Sequence, residues 1–309
     1  MTADTLADEL STAGLDPAEV LAHEPLAGGT YNTLHRLVLR DGRRLVLKLP
    51  PPADTPGLAY ERALLVGETA FYRAAAGTAP VPEVVSWSED HLLMTECAGT
   101  SWHEAPPSEG ERAGLRRELG ALVGRLHAVH GPGFGYPGGA LPPSADWRGT
   151  FTTMLDAVLT DAERYAAPLP VPPDRIRELA AGAAPALDEV RAPALVHFDL
   201  WAGNVLLADG RVSALIDGER MFWGDPLADF ASLCLLAPLD RDLLDGYASV
   251  GGTVDFTPAA RVRMALYRAY LHVIMLAECG PRGYVGDELA WRVRAVTPHL
   301  RDALGELAA

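Results

Sequence analysis

Two short stretches of the sequence place carboxylates and an amide at spacings that suit phosphoryl transfer. In VHFDLWAGNVLL, Asn204 follows Asp199 by five residues, and Asp217 comes later, in ALIDGE, after an apolar run. An aspartate so placed can contact an acceptor hydroxyl while the asparagine turns back towards a Mg²⁺ ion, and a hairpin can return the second aspartate to the same ion. The competing interpretation is an Asp-Asn loop turn, with Asp217 merely ending a strand. Because the residue types, their order and the hairpin agree, the sequence favours catalysis.

Lys48 is the second chemically distinctive position, because it is the only lysine among the 26 lysines and arginines of the chain. Lysine is a point charge on a thin stem, whereas arginine is a wide planar fork, so the two do not interchange in a packed cleft. A compact cation that contacts nucleotide phosphates and pairs with a helix carboxylate would require lysine here. Glu68 is the expected partner and Glu61 the reserve. The alternative is a solvated lysine at a strand end.

Three further segments are candidate nucleotide contacts. Gly28 and Gly29, followed by Thr30, precede a predicted strand, and glycines without Cβ atoms expose the backbone N–H groups that a phosphate cover requires. A Gly-Gly pair by itself is most often only a turn. In LLMTECAG, the carbonyl of Thr95 and the N–H of Cys97 are placed to face an adenine, an assignment that depends on position alone.

The elements that must position these residues divide the chain into two parts. A hairpin at Asp41-Gly42, a helix over 60–77 and two further strands predict a β-β-α-β-β unit with a small antiparallel sheet. After Ser101 the pattern becomes helical, broken by one predicted hairpin over 195–216; the later helices are expected at 147–166, 172–190, 257–279 and 285–306. We therefore predict an α+β fold with a nucleotide-binding lobe at 1–99 and a larger helical lobe at 100–309 that holds the catalytic loop and the acceptor site.

Composition restricts the partners and the setting. The formal net charge is −15, which disfavours nucleic acid and anionic lipid as partners. The 3 cysteines lie far apart without metal-ligand spacing, and no apolar run is long enough to cross a membrane. The acidic N-terminus lacks the features of a signal peptide. We therefore expect a cytoplasmic protein with no obligate protein partner.

Taken together, these residues resemble the aminoglycoside phosphotransferase-like kinases, which share the bilobal protein-kinase fold. The resemblance rests on Gly28-Gly29, VLK at 46–48, LLMTECAG, LGALVGRLHAVH, HFDLWAGN and IDGERMFWGDPLADFA. It implies ATP and Mg²⁺ as cofactors, Asp199 as catalytic base, and Asn204 and Asp217 as Mg²⁺ ligands. Asp225 and Asp229 would hold the loop and a helix start in place.

The sequence departs from the family pattern at two positions. Phe198 stands where the family usually has glycine and is expected to narrow the acceptor pocket, and Gly218 stands where an aromatic residue is common. GGTYN and HFDLWAGN are also similar to the fructosamine-kinase branch. Trp201 beside the base is expected either to pack against a sugar ring or to anchor the loop.

These features predict an ATP-dependent kinase that phosphorylates a hydroxyl of an aminoglycoside-like antibiotic, an amino sugar or a related metabolite. A fructosamine or ketosamine kinase, a nucleotide-binding pseudokinase and a nucleotidyl transferase are the alternatives. For a cationic small-molecule acceptor, the acidic residues that could recognise amino groups are Asp240, Asp242, Glu278 and Asp287.

Overall fold

The N-terminal part of the protein is a five-stranded antiparallel sheet with a helix on each face, in a computed structural model that describes residues 3–26, 31–142 and 144–309. In chain order it contains the helix α1 (Ala3–Thr12), the strands β1 (Val20–Leu26), β2 (Thr33–Leu39) and β3 (Arg44–Leu49), the helix α2 (Leu64–Ala75), and the strands β4 (Val84–Trp87) and β5 (Leu92–Thr95). The spatial order of the strands is β1-β2-β3-β5-β4. The strand β3 is therefore central, with neighbours on both sides.

The two faces of this sheet contribute to different hydrophobic cores, because side chains alternate along each strand. Leu37, Leu45, Leu47 and Leu93 pack with Leu10 of α1 in a small core on one face. On the opposite face, Val46 and Met94 belong to the larger core that continues into the helical part. Lys48 points to this second face, where β3 pairs it with Leu34 of β2 and Leu92 of β5. Its position is thus fixed by backbone hydrogen bonds on both sides.

The remainder of the chain is mainly helical. Its helices are α3 (Glu109–His127), α4 (Trp147–Arg164), α5 (Pro173–Ala183), α6 (Asp229–Leu233), α7 (Arg241–Ser249), α8 (Pro258–Ala277) and α9 (Gly286–Ala308). Short strands form two further sheets, namely β6 (Thr100–Ser101) with β8 (Val205–Ala208) and β9 (Arg211–Leu215), and β7 (Ala194–Val196) with β10 (Phe222–Gly224). No helix in the described ranges combines the length and the apolar character that membrane crossing demands.

The short sheets hold the two segments that carry the predicted chemistry. Residues 197–204 leave β7 and enter β8, and residues 216–221 leave β9 and enter β10. Because β7 and β10 pair with each other, as do β8 and β9, both segments are anchored at both ends to the same pair of sheets. This arrangement brings two stretches of chain that are about twenty residues apart into one site.

Most of the predicted elements are present, and the differences have local causes. The strand β1 was not predicted, since it is an edge strand with mostly exposed residues and a proline, Pro25, and so lacks the usual alternation. The predicted helix 60–77 begins with a 3₁₀ turn, Ala59–Ala63, before α2, and the predicted helix 172–190 ends in another, Ala184–Glu189. The helix α7 was also missed. The boundary between lobes at 99 and 100 stays a prediction.

Candidate active site

Lys48 is the centre of a buried cluster of charges. Its side chain is 3% exposed, and Nζ lies 2.6 Å from Glu68 Oε2, 2.7 Å from Asp217 Oδ1 and 2.7 Å from Glu219 Oε2. The three carboxylates come from α2 and from the segment after β9. A compact ammonium with three donors satisfies all three at once, which the planar fork of arginine would not do in the same space.

Tyr72 connects the helix carboxylate to the backbone of the aspartate. Its hydroxyl donates to Glu68 Oε1 at 2.6 Å and accepts from the N–H of Asp217 at 3.0 Å. Glu68 and Tyr72 are four residues apart on α2 and therefore lie on the same helix face. Any movement of α2 would thus displace both the partner of Lys48 and the segment that carries Asp217.

Asp217 has an unusual backbone conformation, and its neighbour explains one departure from the family pattern. Asp217 lies in the left-handed region, with φ +60° and ψ +47°, a conformation that non-glycine residues seldom adopt. A Cβ atom at Gly218 would lie 2.4 Å from the ring of Phe71. An aromatic ring therefore does fill the space beside Gly218, but α2 supplies it. The same ring meets His197 edge to face, with 4.7 Å between centroids.

Hydrogen bonds within the catalytic loop fix Asp199 and Asn204 relative to Asp217. His197 donates from Nε2 to the carbonyl of Ile216 at 3.0 Å, and its Nδ1 accepts from the N–H of Asp199 at 3.2 Å, so a single tautomer serves both bonds. The side-chain amide of Asn204 donates to the carbonyl of Asp199 at 2.8 Å. The carbonyl of Asn204 accepts from the N–H of Ile216 at 3.0 Å, one residue before Asp217.

Asp225 and Asp229 hold the framework, as predicted. Asp229 is fully buried and accepts from the backbone N–H groups of His197, at 3.1 Å, and Phe198, at 2.6 Å. Asp225 accepts from the N–H of Leu227 at 3.0 Å and from Arg263 Nε at 2.8 Å. The two carboxylates therefore act on the loop before Asp199 and on the turn that leads into α6.

The prediction that Phe198 narrows the acceptor pocket is wrong. Its side chain is 0% exposed and packs in the helical core, with ring centroids 5.1 Å from Phe222 and 5.5 Å from Tyr270. Its φ of +63° explains why glycine is the natural residue at this position. The buried aromatic contacts of Phe198 therefore offset the strain of its left-handed backbone conformation.

The position of Trp201 favours the loop-anchoring interpretation. A Cβ atom at Gly203 would lie 2.1 Å from the indole ring, so the ring folds back over its own loop. His103 lies against it, with 5.2 Å between ring centroids. Glycine at 203 is therefore required for the close approach of this ring.

Asp199 lies beside an arginine that sequence reasoning did not identify. Arg220 Nη1 is 3.9 Å from Asp199 Oδ1, and Arg220 Nη2 donates to Glu278 Oε2 at 2.9 Å. Burial raises the pKa of Asp199, and the guanidinium of Arg220 is the main opposing influence. Arg220 therefore favours the ionised form of the carboxylate that is the predicted base.

The charges around Lys48 are unequal in number, with three carboxylates for one ammonium. Burial opposes the charge of Lys48, but Asp217, Glu219 and Glu68 together raise its pKa well above the ordinary value. Burial, with the charge of Asp217, raises the pKa of Glu219 to about 8. The cluster thus holds more carboxyl groups than one lysine neutralises, and Glu219 retains its proton near neutral pH.

This donor set fits a magnesium ion. Carboxylate oxygens of Glu68, Asp217 and Glu219 lie within 4.8 Å of one another, and oxygen is the ligand atom that Mg²⁺ prefers. Asn204, the second predicted ligand, uses its amide nitrogen towards Asp199, which leaves its Oδ1 as a possible metal ligand. A divalent cation here would also favour the ionised form of all three carboxyl groups.

The predicted nucleotide contacts away from Lys48 stay predictions. Gly28, Gly29 and Thr30 lie outside the described residues. Thr95 joins β5 to β4, since its N–H donates to the carbonyl of Glu83 at 2.9 Å and its hydroxyl accepts from the N–H of Glu83 at 2.9 Å. Cys97 follows where β5 has ended and is half-buried, and the roles of Thr95 and Cys97 towards adenine stay predictions.

Several residues proposed as alternatives lie elsewhere. Glu61, the reserve partner of Lys48, instead accepts from the N–H of Leu58 at 2.7 Å and pairs with Arg282. Two of the acidic residues considered for amino-group recognition are bound to arginines of α3, Asp242 to Arg117 at 2.5 Å and Asp240 near Arg116 at 3.7 Å. Asp287 is exposed in the first turn of α9.

Other histidines and an arginine of the helical lobe either pack between helices or lie at the surface. His127 is buried and contacts Asp229 and Tyr247, whereas His130 is exposed. Arg268 pairs with Glu306 of α9 at 2.5 Å, and His272 lies near His299 of the same helix, with 5.8 Å between ring centroids. Ordinary helix packing therefore accounts for these two.

Glu219, Arg220 and Tyr72 are the site residues that sequence reasoning missed. Two of them had a signal, because Glu219 and Arg220 directly follow Asp217-Gly218 in IDGER. Tyr72 stands one helical turn after Glu68, a spacing that predicts a shared face but not a hydrogen bond to Asp217.

Together, the sheet with a buried Lys–Glu pair, the helical lobe and the loop that carries Asp199 and Asn204 define a kinase-like phosphotransferase. The chain belongs to the phosphotransferase enzyme family abbreviated APH, whose pattern it matches over residues 22–267. The resemblance drawn from the sequence and the prediction of a phosphotransferase are thereby confirmed.

Named relatives come from two branches. The chain is 24% identical to a "Probable ketoamine kinase" of Lactiplantibacillus plantarum over 84% of its own length and 89% of the relative. It is 26% identical to the Hygromycin-B 4-O-kinase of Escherichia coli over 64% of its length and 57% of the relative.

Solved structures of the same two kinds share the fold. A protein from Thermobifida fusca, provisionally named a fructosamine-3-kinase, aligns with a TM-score of 0.72 and 22% identity over 99% of both chains. A thermostable mutant of aminoglycoside phosphotransferase APH(4)-Ia, in complex with AMP-PNP and hygromycin B, aligns with a TM-score of 0.66 and 18% identity over 99% of this chain and 98% of that one. The predicted bilobal α+β kinase-like fold is therefore confirmed.

Proposed function

We propose that this protein transfers the γ-phosphate of ATP to a hydroxyl group of a small molecule. The observation that carries the proposal is the convergence of four groups, since Lys48 contacts Asp217 at 2.7 Å while Asn204 is hydrogen-bonded to the backbone of Asp199 at 2.8 Å. Phosphoryl transfer requires this set of base, metal ligands and phosphate-binding cation. A pseudokinase usually lacks at least one of these groups, so the complete set argues for an active enzyme.

In this proposal each residue has one task. Asp199 orients the acceptor hydroxyl and accepts its proton, and Arg220 keeps that carboxylate ionised. Lys48 binds the α- and β-phosphates, and these contacts replace some of its ion pairs with the surrounding carboxylates. When bound, a Mg²⁺ ion held by Asn204 and Asp217 would neutralise charge on the phosphates. The carbonyl of Thr95 and the N–H of Cys97 would bind adenine, and Gly28, Gly29 and Thr30, which lie outside the described residues, stay predicted phosphate contacts.

For the acceptor we favour a ketoamine of the fructosamine type. Two carboxylates around Arg220, the arginine beside Asp199, are already paired, because Glu278 pairs with Arg220 and Glu61 with Arg282. A polycationic acceptor would need carboxylates that are free to bind ammonium groups. The relative from Lactiplantibacillus plantarum, which covers more of this chain than the Escherichia coli kinase does, supports the same choice.

The second candidate is an aminoglycoside or amino-sugar acceptor. Similarity to the Hygromycin-B 4-O-kinase and to APH(4)-Ia favours it. Such an acceptor would have to displace arginine from Glu278 with its own ammonium group. The two candidate acceptors therefore differ in whether ammonium groups of the acceptor must pair with carboxylates of the protein.

The test is ADP release from Mg-ATP across a panel of ketoamines, aminoglycosides, amino sugars and amino alcohols. We expect acceptor-dependent ADP release that is strongest with ketoamines. Pyrophosphate in place of ADP would identify nucleotidyl transfer. Binding of Mg-ATP without turnover of any compound would favour a pseudokinase, and absence of Mg-ATP binding would overturn the proposal.

A further inference from the structure

Three arginines surround Glu278. Its carboxylate is hydrogen-bonded to Arg220, the arginine that lies beside the predicted base Asp199. Glu278 contacts Arg220 at 2.9 Å and Arg292 at 4.0 Å. Its charge also acts on Arg282, whose own hydrogen-bonded partner is Glu61. Since Arg220 reaches to 3.9 Å from Asp199, this group of charges adjoins the predicted base.

The groups without a hydrogen-bond partner in this cluster of charges are guanidinium N–H donors. Arg282 Nη1 and Arg292 Nε are buried and have no hydrogen-bond partner among the described residues. The side chain of Arg282 is only 9% exposed, and a buried donor without a partner is costly, the more so when it is charged. Guanidinium groups with open donors match a carboxylate, which accepts two parallel hydrogen bonds.

An aromatic ring lies against the guanidinium group of each arginine. The guanidinium of Arg282 lies 4.1 Å from the ring centroid of Tyr31, and that of Arg292 lies 3.9 Å from the ring centroid of Tyr284. Both arginines also act electrostatically on Tyr284, so they face the same region. Tyr31 is followed by Asn32, which bonds Glu219 in the Lys48 cluster at 2.8 Å. Arg282 is therefore next to the segment that contacts the Lys48 cluster, and Arg292 is next to Glu278.

We propose that Arg282 and Arg292 bind a carboxylate of the acceptor, which makes the preferred acceptor a ketoamine formed from an amino acid. This inference rests on the proposed function and specifies its substrate. The acceptor carboxylate supplies the missing partners of Arg282 Nη1 and Arg292 Nε. Its sugar hydroxyl lies towards Asp199.

The experiment compares two ligands that differ in one group. The ketoamine N-(1-deoxyfructosyl)glycine, formed from glucose and glycine, carries a carboxylate, and N-(1-deoxyfructosyl)methylamine, formed from glucose and methylamine, does not. Each is titrated calorimetrically into the protein with Mg²⁺ and a non-hydrolysable ATP analogue. We expect the glycine compound to bind about tenfold to a hundredfold more tightly, the range of a charge-assisted hydrogen bond.

Two variants assign that preference to the arginines. Arg282→Gln and Arg292→Gln should each bring the two affinities to within about threefold of each other, while binding of the methylamine compound is retained. Using both variants keeps the test valid if one fails to fold. Arg268→Gln is the matched control, because Arg268 pairs with Glu306 on α9 and should leave the preference unchanged.

The remaining outcomes separate this inference from the proposed function. Equal binding of the two ligands by the wild-type protein, binding of neither, or an equal loss of both in the variants would overturn the inference. If ADP is nevertheless released with other acceptors, the proposed kinase activity stands without it. A carboxylate preference that the variants abolish, with no ADP formed, would support the carboxylate site and overturn the kinase activity.

Discussion

At the residue scale, the lone lysine of an arginine-rich chain has a structural explanation. Lys48 is enclosed at 3% exposure by Glu68, Asp217 and Glu219, all within 2.7 Å of one atom. Every other basic position has been filled by arginine, whose charge is the same but whose shape is not. The shape of the site therefore retains lysine here.

We predict that Lys48→Arg lowers kcat/KM for ATP by about 100-fold, because a displacement of the cation by roughly 1 Å misplaces the phosphates. Steady-state kinetics at varied Mg-ATP concentration will measure the change. Arg44→Lys is the control, since Arg44 stands on the same strand with a side chain that is 55% exposed and should tolerate the reverse exchange. Unchanged kinetics in Lys48→Arg would contradict this prediction, because the lone lysine would then have no functional cause.

Arg220 gives a pH-dependent prediction. Burial raises the pKa of Asp199 and the Arg220 cation opposes that rise, so Arg220→Gln should raise the pKa of Asp199 further. A base must be deprotonated to act, and the acidic limb of the kcat/KM profile should therefore move to higher pH. Parallel profiles of the wild type, Arg220→Gln and Arg268→Gln will measure the shift. An unmoved limb, or a shift to lower pH, would contradict this role.

The sequence allowed the residues with distinctive spacing to be predicted, but not their bonding. Asp199, Asn204 and Asp217 stand in a pattern that phosphoryl transfer explains, and the structure brings them into one region. Arg220 had only its adjacency to Asp217-Gly218 as a signal, and Tyr72 only its helical spacing from Glu68, and both features are common. Their roles depend on side-chain directions that only the folded chain defines.

At the scale of elements, the catalytic loop is held by the helical lobe rather than by its own conformation. Asp229 accepts hydrogen bonds from two backbone N–H groups of the loop. Phe198 anchors the loop in the core despite a φ of +63°. Sequence reasoning placed Phe198 in the acceptor pocket because the backbone conformation was not visible. The same limit concealed β1, whose exposed residues carry no alternation.

We predict that Phe198→Gly destabilises the protein by about 2–4 kcal/mol. Glycine would relieve about 1 kcal/mol of left-handed strain, but deleting a buried phenylalanine costs about 3–5 kcal/mol. Chemical denaturation followed by fluorescence and circular dichroism will measure the difference. A variant as stable as the wild type would mean that the strain outweighs the packing.

At the scale of the whole molecule, several hydrogen bonds join the chain before α2 to the helical lobe. Asp161 of α4 accepts from the N–H of Ala59 at 2.6 Å, and the hydroxyl of Tyr165 donates to the carbonyl of Gly57 at 3.0 Å. Arg282 adds its ion pair with Glu61. These contacts set the position of α2, and hence of Glu68, from outside the sheet. The fold class was predictable because the sheet and helix patterns are clear, whereas these contacts between distant segments were not.

The most direct test of the whole account is acceptor-dependent ADP release by Asp199→Asn, measured beside the wild type with the best acceptor of the panel. The substitution keeps the shape of the side chain and removes the base, so the rate should fall by about 10²–10⁴-fold. Binding of Mg-ATP, measured on the same protein, should remain close to that of the wild type. A folded Asp199→Asn variant that releases ADP at the wild-type rate would contradict the account, because the base would then lie elsewhere.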